Sequence, residues 1–152
     1  MKIDEFIESL RKLNIDITSR QLEQLEEYYN LLVEWNEKIN LTRITLKDDV
    51  YLKHFYDSAT IVKVIDLNKI DNFCDFGTGA GFPGIVIKIL FPSLNVTLVD
   101  SLNKRINFLN IVIEKLKLEK IVAIHSRIED FARTHREKFD LVTARAVASL
   151  PV

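Results

Sequence analysis

All four glycines of this chain, Gly77, Gly79, Gly81 and Gly84, fall within one stretch of eight residues. Glycine is favoured where φ must be positive or where another group has to approach the backbone closely, and it weakens regular structure elsewhere. A chain that uses glycine at no other position therefore marks one turn as the place where such geometry is required. The turn is preceded by NFCDF, which reads as a short buried-type strand. It is followed by GFPGIVIKILF, a helix with Pro83 near its first turn, where a missing N–H costs nothing. Strand, glycine turn and helix together make a nucleotide-type loop at the carboxyl end of a first strand.

Two patterns divide the chain around this loop. Up to about residue 65 the periodicity is helical: apolar residues recur at 3, 6, 7, 10 and 13, an amphipathic stripe. Thr18 or Ser19 can cap a longer helix, in which Leu22, Leu25, Tyr28, Tyr29, Leu32, Trp35 and Ile39 recur at three and four. A third helix is expected from Lys47 or Asp48, carrying Val50, Phe55, Ala59 and Val62. The first 70 residues contain neither Pro nor Gly, which fits a helical cap. From residue 71 strands alternate with helices: NFCDFG, NVTLVD, KIVAIHS and FDLVTARA are strands, and the segments between them are helices of crossover length. Such alternation predicts right-handed βαβ units and a parallel sheet. The last strand would expose an edge just before Val152, so a truncated form or fragment is expected.

The loop admits two chemistries. Read as D-x-G-x-G-x-G from Asp75, it fits S-adenosylmethionine: Gly77, Gly79 and Gly81, with Thr78 between them, admit the backbone against the methionine part, and Asp75 can receive the ammonium group. Read from Gly79, the run Gly79, Gly81, Gly84 is G-x-G-x-x-G, a dinucleotide fingerprint whose glycines serve a pyrophosphate. Asp100, followed by Ser101, ends the second strand. An acid there can accept both hydroxyls of an adenosine ribose, which both cofactors contain, or can simply cap the next helix. Ser126, Arg127, Ile128 and Glu129 end the third strand, where a doubly wound sheet flanks the adenine. Ser126 and Glu129 also read as a capping box.

The remaining chemistry-bearing residues are sparse. Cys74 is the one cysteine and lies inside an apolar strand, which predicts a reduced, buried thiol with no covalent role. The three histidines are scattered without ligand spacing, so no metal site is expected. His54 and Asp57, at i and i+3, could pair at the mouth of the site or form a structural helix pair. Tyr28, Tyr29 and Trp35 could stack on bases, but their helical spacing places them in the core first. The net charge of −1 hides an asymmetry: residues 1–60 hold 8 Lys or Arg against 12 Asp or Glu, and residues 61–152 hold 13 against 10. A mildly basic back half permits nucleic-acid binding without demanding it. Lys104, Arg105, Arg127 and Arg145 fall at or just past the carboxyl ends of strands and are candidate phosphate contacts. Lys115, Lys117 and Lys120 fall near the opposite ends and read as solubilising. No apolar run approaches the ~18 residues of a membrane span, and the acid-bearing N-terminus does not read as a signal peptide. A cytoplasmic monomer is expected.

DFGTGAGFPGIVIKILFPSLNVTLVDSLNKRINFL, followed by RIEDFA and FDLVTARAVASL, resembles the RsmG (GidB) family of ribosomal RNA small subunit methyltransferases. WNEKINLT at 35–42 and YLKHFYDS at 51–58 are similar to that family's helical N-terminal signatures. The resemblance runs from about residue 20 to the last residue, and it favours a methyltransferase over the rival readings, an NAD-dependent oxidoreductase or an RNA-binding module without catalysis. It implies an α/β fold, a doubly wound Rossmann-like sheet for S-adenosylmethionine that is C-terminally incomplete here. A helical cap over 1–66 would precede a partial methyltransferase domain over 67–152. Gly77, Phe82, the Ile128–Glu129 pair and Arg145 would bind S-adenosylmethionine, Asp100 would hold its ribose, and Arg145 would also act at the reacting centre. The implied activity is methyl transfer to N7 of a guanosine in 16S rRNA, with the rRNA or the small ribosomal subunit as partner. That chemistry suits the inventory, because N7 is an in-plane lone pair with no proton to lose, and holding the reactants in line can supply up to ~7–11 kcal/mol.

Overall fold

The computed structural model describes residues 1–144. Helix α1 (Ile3–Lys12) and helix α2 (Ser19–Ile39) open the chain. Thr18 starts α2 with a complete capping box: its Oγ1 accepts from Gln21 N at 3.1 Å, and the Gln21 side chain accepts from Thr18 N at 2.8 Å. The helix ends at Asn40, which takes the left-handed conformation at φ 50°. The expected third helix begins at Lys47, but its hydrogen bonding changes along its length. It runs as α3 (Lys47–Val50), a π-helical turn (Tyr51–Tyr56), α4 (Asp57–Ala59) and a 3-10 turn (Thr60–Lys63).

After a 3-10 turn at Leu67–Lys69 come β1 (Asn72–Phe76), α5 (Gly84–Leu90), β2 (Asn95–Asp100), α6 (Asn103–Lys115), β3 (Ile121–His125), α7 (Ile128–His135), a 3-10 turn (Arg136–Lys138) and β4 (Leu141–Ala144). The four described strands are all parallel, in the order β3-β2-β1-β4. The order reverses at β1, with β2 and β3 to one side and β4 to the other, so a ligand crevice belongs at the carboxyl end of β1. The glycine loop occupies that end.

Alternation along β1 sets the two faces of the sheet. Cys74 and Phe76 join Val99 and Phe131 in a small cluster under α7. On the other face lies the main core, where Phe6, Leu25, Tyr28 and Phe55 of the helical cap pack with Ile85, Leu98 and Phe108. The change of pattern near residue 66 therefore does not divide the core. Helix α5 explains why, because every one of its residues is buried, Lys88 included. It lies between the sheet and the cap, touching β2 as well as α2 and α4. Lys88 survives this burial by donating from Nζ to Pro92 O at 2.8 Å and Leu94 O at 2.5 Å, and burial lowers its pKa. Gln21 ties the cap to the same helix by donating from Nε2 to Ile89 O at 3.0 Å.

The capping box expected at Ser126 is absent. Helix α7 begins at Ile128, Phe131 N bonds to Arg127 O, and Ser126 Oγ donates to Arg127 O at 2.9 Å. Ser126 thus lies one residue too early to cap it.

Replacing Thr18 by Ala removes the acceptor that starts α2. The expected loss is about 1 kcal/mol of unfolding free energy in urea titration, and a change below about 0.2 kcal/mol would show that the cap is carried by its tertiary contacts alone.

Candidate functional site: a glycine loop held by two buried carboxylates

The loop leaves β1 pinned to β2, with Gly77 N and Thr78 N donating to Val99 O at 2.8 and 3.2 Å. Gly77, Gly79 and Gly81 have φ of 64°, 60° and 105°, conformations that side-chain-bearing residues rarely adopt. Three of the glycines answer to different constraints. A Cβ on Gly79 would meet nothing within 4 Å, so this residue fronts open space. On Gly81 it would come within 2.5 Å of Tyr28 Oη and 2.8 Å of Ile85 Cδ1. On Gly84 it would enter the Leu98 side chain and lie 2.9 Å from Asp75 Oδ2. Gly84 is therefore a packing glycine that lets α5 sit on the sheet.

Asp75 and Asp100 organise this backbone from the ends of neighbouring strands. Asp75 is fully buried. Its Oδ2 accepts from Thr78 Oγ1 at 2.8 Å and Gly84 N at 2.9 Å, and its Oδ1 accepts from Thr143 Oγ1 at 2.8 Å. In this structure Asp75 has no exposed surface, and its carboxylate fixes the loop and the start of α5. Asp100, at 1% exposure, accepts at Oδ2 from Gly79 N at 2.9 Å and at Oδ1 from Leu102 N at 3.0 Å. Arg105 Nη1 stands 3.5 Å from the same Oδ1. Asp100 thus sits beside Gly79, which faces open space.

The helical cap braces the loop from behind, which the sequence pattern did not reveal. Tyr28 is buried on α2 and donates its hydroxyl to Ala80 O at 2.5 Å. Burial, and secondarily the negative charge of Asp75, holds the phenol well above its usual pKa, so it remains a donor. Phe82 stacks on His54 with ring centroids 4.3 Å apart, and His54 Nε2 lies 2.9 Å from Thr42 Oγ1. Trp35 and Tyr29 are also committed within the fold, Trp35 against Phe108 and Tyr29 to Thr45 O at 2.6 Å.

Around the rim, Ser101 and Glu129 are exposed and Ile128 is half-buried. Leu102 is 40% exposed although apolar, a surface beside Asp100 that the sequence pattern did not single out. Lys104 is exposed, whereas Arg105 is turned onto Asp100. Arg127 pairs with Asp130 at 3.3 Å. Arg145 lies outside the described residues. Cys74 is buried, and burial together with the nearby Asp75 pushes its thiol pKa up to about 12. Among the described residues no group of His, Cys, Asp and Glu could hold a metal ion, and no helix is long and apolar enough to cross a membrane.

A parallel sheet whose order reverses at a glycine loop, with an acid closing the neighbouring strand, defines a protein of the methyltransferase fold class. A solved protein-L-isoaspartate O-methyltransferase superposes with a TM-score of 0.58 at 13% identity, over 93% of this chain and 47% of its own. The chain belongs to the GidB family, rRNA small subunit methyltransferase G, whose model matches residues 21–152. It is 58% identical to the ribosomal RNA small subunit methyltransferase G of Bacillus velezensis and 56% identical to that of Bacillus subtilis. In both comparisons the whole chain is matched, and it spans 64% of the relative's length.

Two measurements check this geometry. Gly84→Ala forces α5 away from β2 and is expected to lower stability by about 1–3 kcal/mol; an unchanged denaturation midpoint would refute the packing role. Cys74 is expected to stay unmodified by iodoacetamide at pH 8 in the folded chain and to react once urea unfolds it, whereas prompt labelling without denaturant would contradict its burial.

Proposed function

We propose that this chain binds S-adenosylmethionine at the glycine loop and serves a methyltransferase that modifies N7 of a guanosine in 16S rRNA, acting as a monomer in the cytoplasm. The observation that carries the reading is the open space in front of Gly79, bordered by the Asp100 carboxylate. Family membership supports the RNA substrate.

The electrostatics favour this cofactor over a dinucleotide. A pyrophosphate binds at a helix N-terminus by taking its free N–H groups. Here Gly84 N, at the start of α5, already donates to the buried Asp75 carboxylate. A pyrophosphate would displace or face that negative charge, while a ligand carrying a sulfonium and an ammonium gains from it. Bound S-adenosylmethionine would supply an activated methyl group. The chain's own residues then hold rather than react: Gly79 leaves room, Asp100 accepts the ribose hydroxyls, Ser101 and Leu102 border the sugar, and Ile128 and Glu129 flank the adenine. Gly77, Thr78, Gly81 and Phe82 maintain the loop's path. Guanine N7 has no proton to surrender, so no general base is required, and Cys74, with a pKa near 12, takes no part. Arg145 keeps the role that family resemblance gives it, at the cofactor and the reacting centre. Lys104 and Arg127 supply phosphate contacts along the rim, which makes RNA affinity fall with salt.

Calorimetric titration with S-adenosylmethionine, its demethylated product and NADH tests the reading. Binding of the first two and not of NADH is expected, and binding of NADH alone would overturn it. Gly79→Val fills the open space and should abolish or sharply weaken S-adenosylmethionine binding. Asp100→Ala should weaken it by about 1.5–3 kcal/mol if charge-assisted bonds to the ribose are lost; a change of a few tenths would remove Asp100 from the site.

A further inference from the structure

We infer that Arg105 is a positioning residue for the cofactor, acting through Asp100, and not a contact for RNA phosphate. This inference rests on the S-adenosylmethionine reading of the Asp100 site.

The argument starts from how the carboxylate is held. Asp100 is the last residue of β2, and α6 begins at Asn103. Two groups from the start of that helical segment converge on one oxygen: Leu102 N at 3.0 Å and Arg105 Nη1 at 3.5 Å, both on Oδ1. The other oxygen, Oδ2, accepts from Gly79 N at 2.9 Å and so faces the glycine loop. Asp100 is almost fully buried, whereas the Arg105 side chain is 32% exposed and leans inward along the protein surface.

A vicinal diol is recognised by a carboxylate whose plane is fixed, because both hydroxyls must meet lone pairs at once. Leu102 N and Gly79 N hold the carboxylate by one neutral backbone donor on each oxygen and leave its charge uncompensated. Arg105 adds a second point on the same oxygen and a compensating charge for a carboxylate that is otherwise desolvated. With Oδ1 tied toward α6, Oδ2 is turned to the space before Gly79, where the ribose would lie. A guanidinium committed in this way offers less to a phosphate than the exposed Lys104 beside it, or than Arg127, whose side chain is 76% exposed.

The test compares S-adenosylhomocysteine binding by calorimetry in the wild-type chain and in Arg105→Ala, Arg105→Lys, Asp100→Asn and the double variant Asp100→Asn/Arg105→Ala. Arg105→Ala is expected to weaken binding roughly tenfold, an effect moderated by the partial exposure of the pair. Arg105→Lys should recover part of the loss, since it restores charge without the planar fork. In the Asp100→Asn background, removing Arg105 should change binding by less than about twofold, because the residue acts through the carboxylate. Affinity for a small-subunit rRNA fragment, and its salt dependence, should be unchanged by Arg105→Ala, which a role in phosphate binding would not allow. Should Arg105→Ala unfold, as read by circular dichroism, Arg105→Gln keeps the aliphatic stem and carries the same comparison. Wild-type cofactor binding that is matched within twofold by Arg105→Ala, with RNA affinity reduced, overturns the inference and leaves the cofactor reading standing. A wild-type chain that binds no S-adenosylhomocysteine overturns that reading and the inference with it.

Discussion

Two carboxylates buried at the ends of adjacent strands are the constraint on which the glycine loop depends. A buried carboxylate is tolerated only when donors surround it, and the donors that Asp75 and Asp100 collect include the loop itself: Thr78, Gly79 and the first residue of α5. Each acid removes one degree of freedom from a segment that is otherwise permissive because of its glycines. Asp75 fixes where α5 begins, and Asp100 fixes how far the loop stands from β2. The positive φ values at Gly77, Gly79 and Gly81 are the backbone's part of this arrangement. The open space before Gly79 persists because these bonds prevent the loop from collapsing into it.

The helical cap belongs to the same device. Tyr28 reaches from α2 to the carbonyl of Ala80, and Phe82, two residues on, stacks with His54. Helix α5, buried along its whole length, transmits the position of the cap to the sheet through packed side chains and the Gln21–Ile89 hydrogen bond. A disturbance of the cap therefore reaches the loop through packed side chains and one buried hydrogen bond. This continuity explains why the main core runs from Phe6 to Ile121 without a break.

Much of this was legible in the chain. The alternating strands and helices of the back half emerge where the pattern puts them, because continuous Val, Ile and Leu runs bounded by turns have few other solutions in a two-faced sheet. The amphipathic spacing of α1 and α2 is a local signal, and of the two capping candidates, Thr18 and Ser19, the structure takes Thr18. What periodicity could not convey was the direction in which polar side chains turn. Asp75 reads from the sequence as a ligand group; that its carboxylate also anchors Gly84 and Thr143, nine and 68 residues away, no local pattern conveys. Arg105 reads from its position as a candidate phosphate contact, and the turn from β2 into α6 brings it back to Asp100. The hydroxyl of Tyr28 finds Ala80 across 52 residues, a contact no local pattern encodes. The capping box at Ser126 failed for a simpler reason, a helix start displaced by a single turn residue.

A crystal structure of the chain grown with S-adenosylhomocysteine tests the central claim most directly. The account predicts the adenosyl group in front of Gly79, with both ribose hydroxyls within hydrogen-bonding distance of the Asp100 carboxylate and Asp75 still buried against Gly84. Ligand density elsewhere on the sheet, or a loop that closes over Gly79 and leaves Asp100 bonded only to protein, would contradict it.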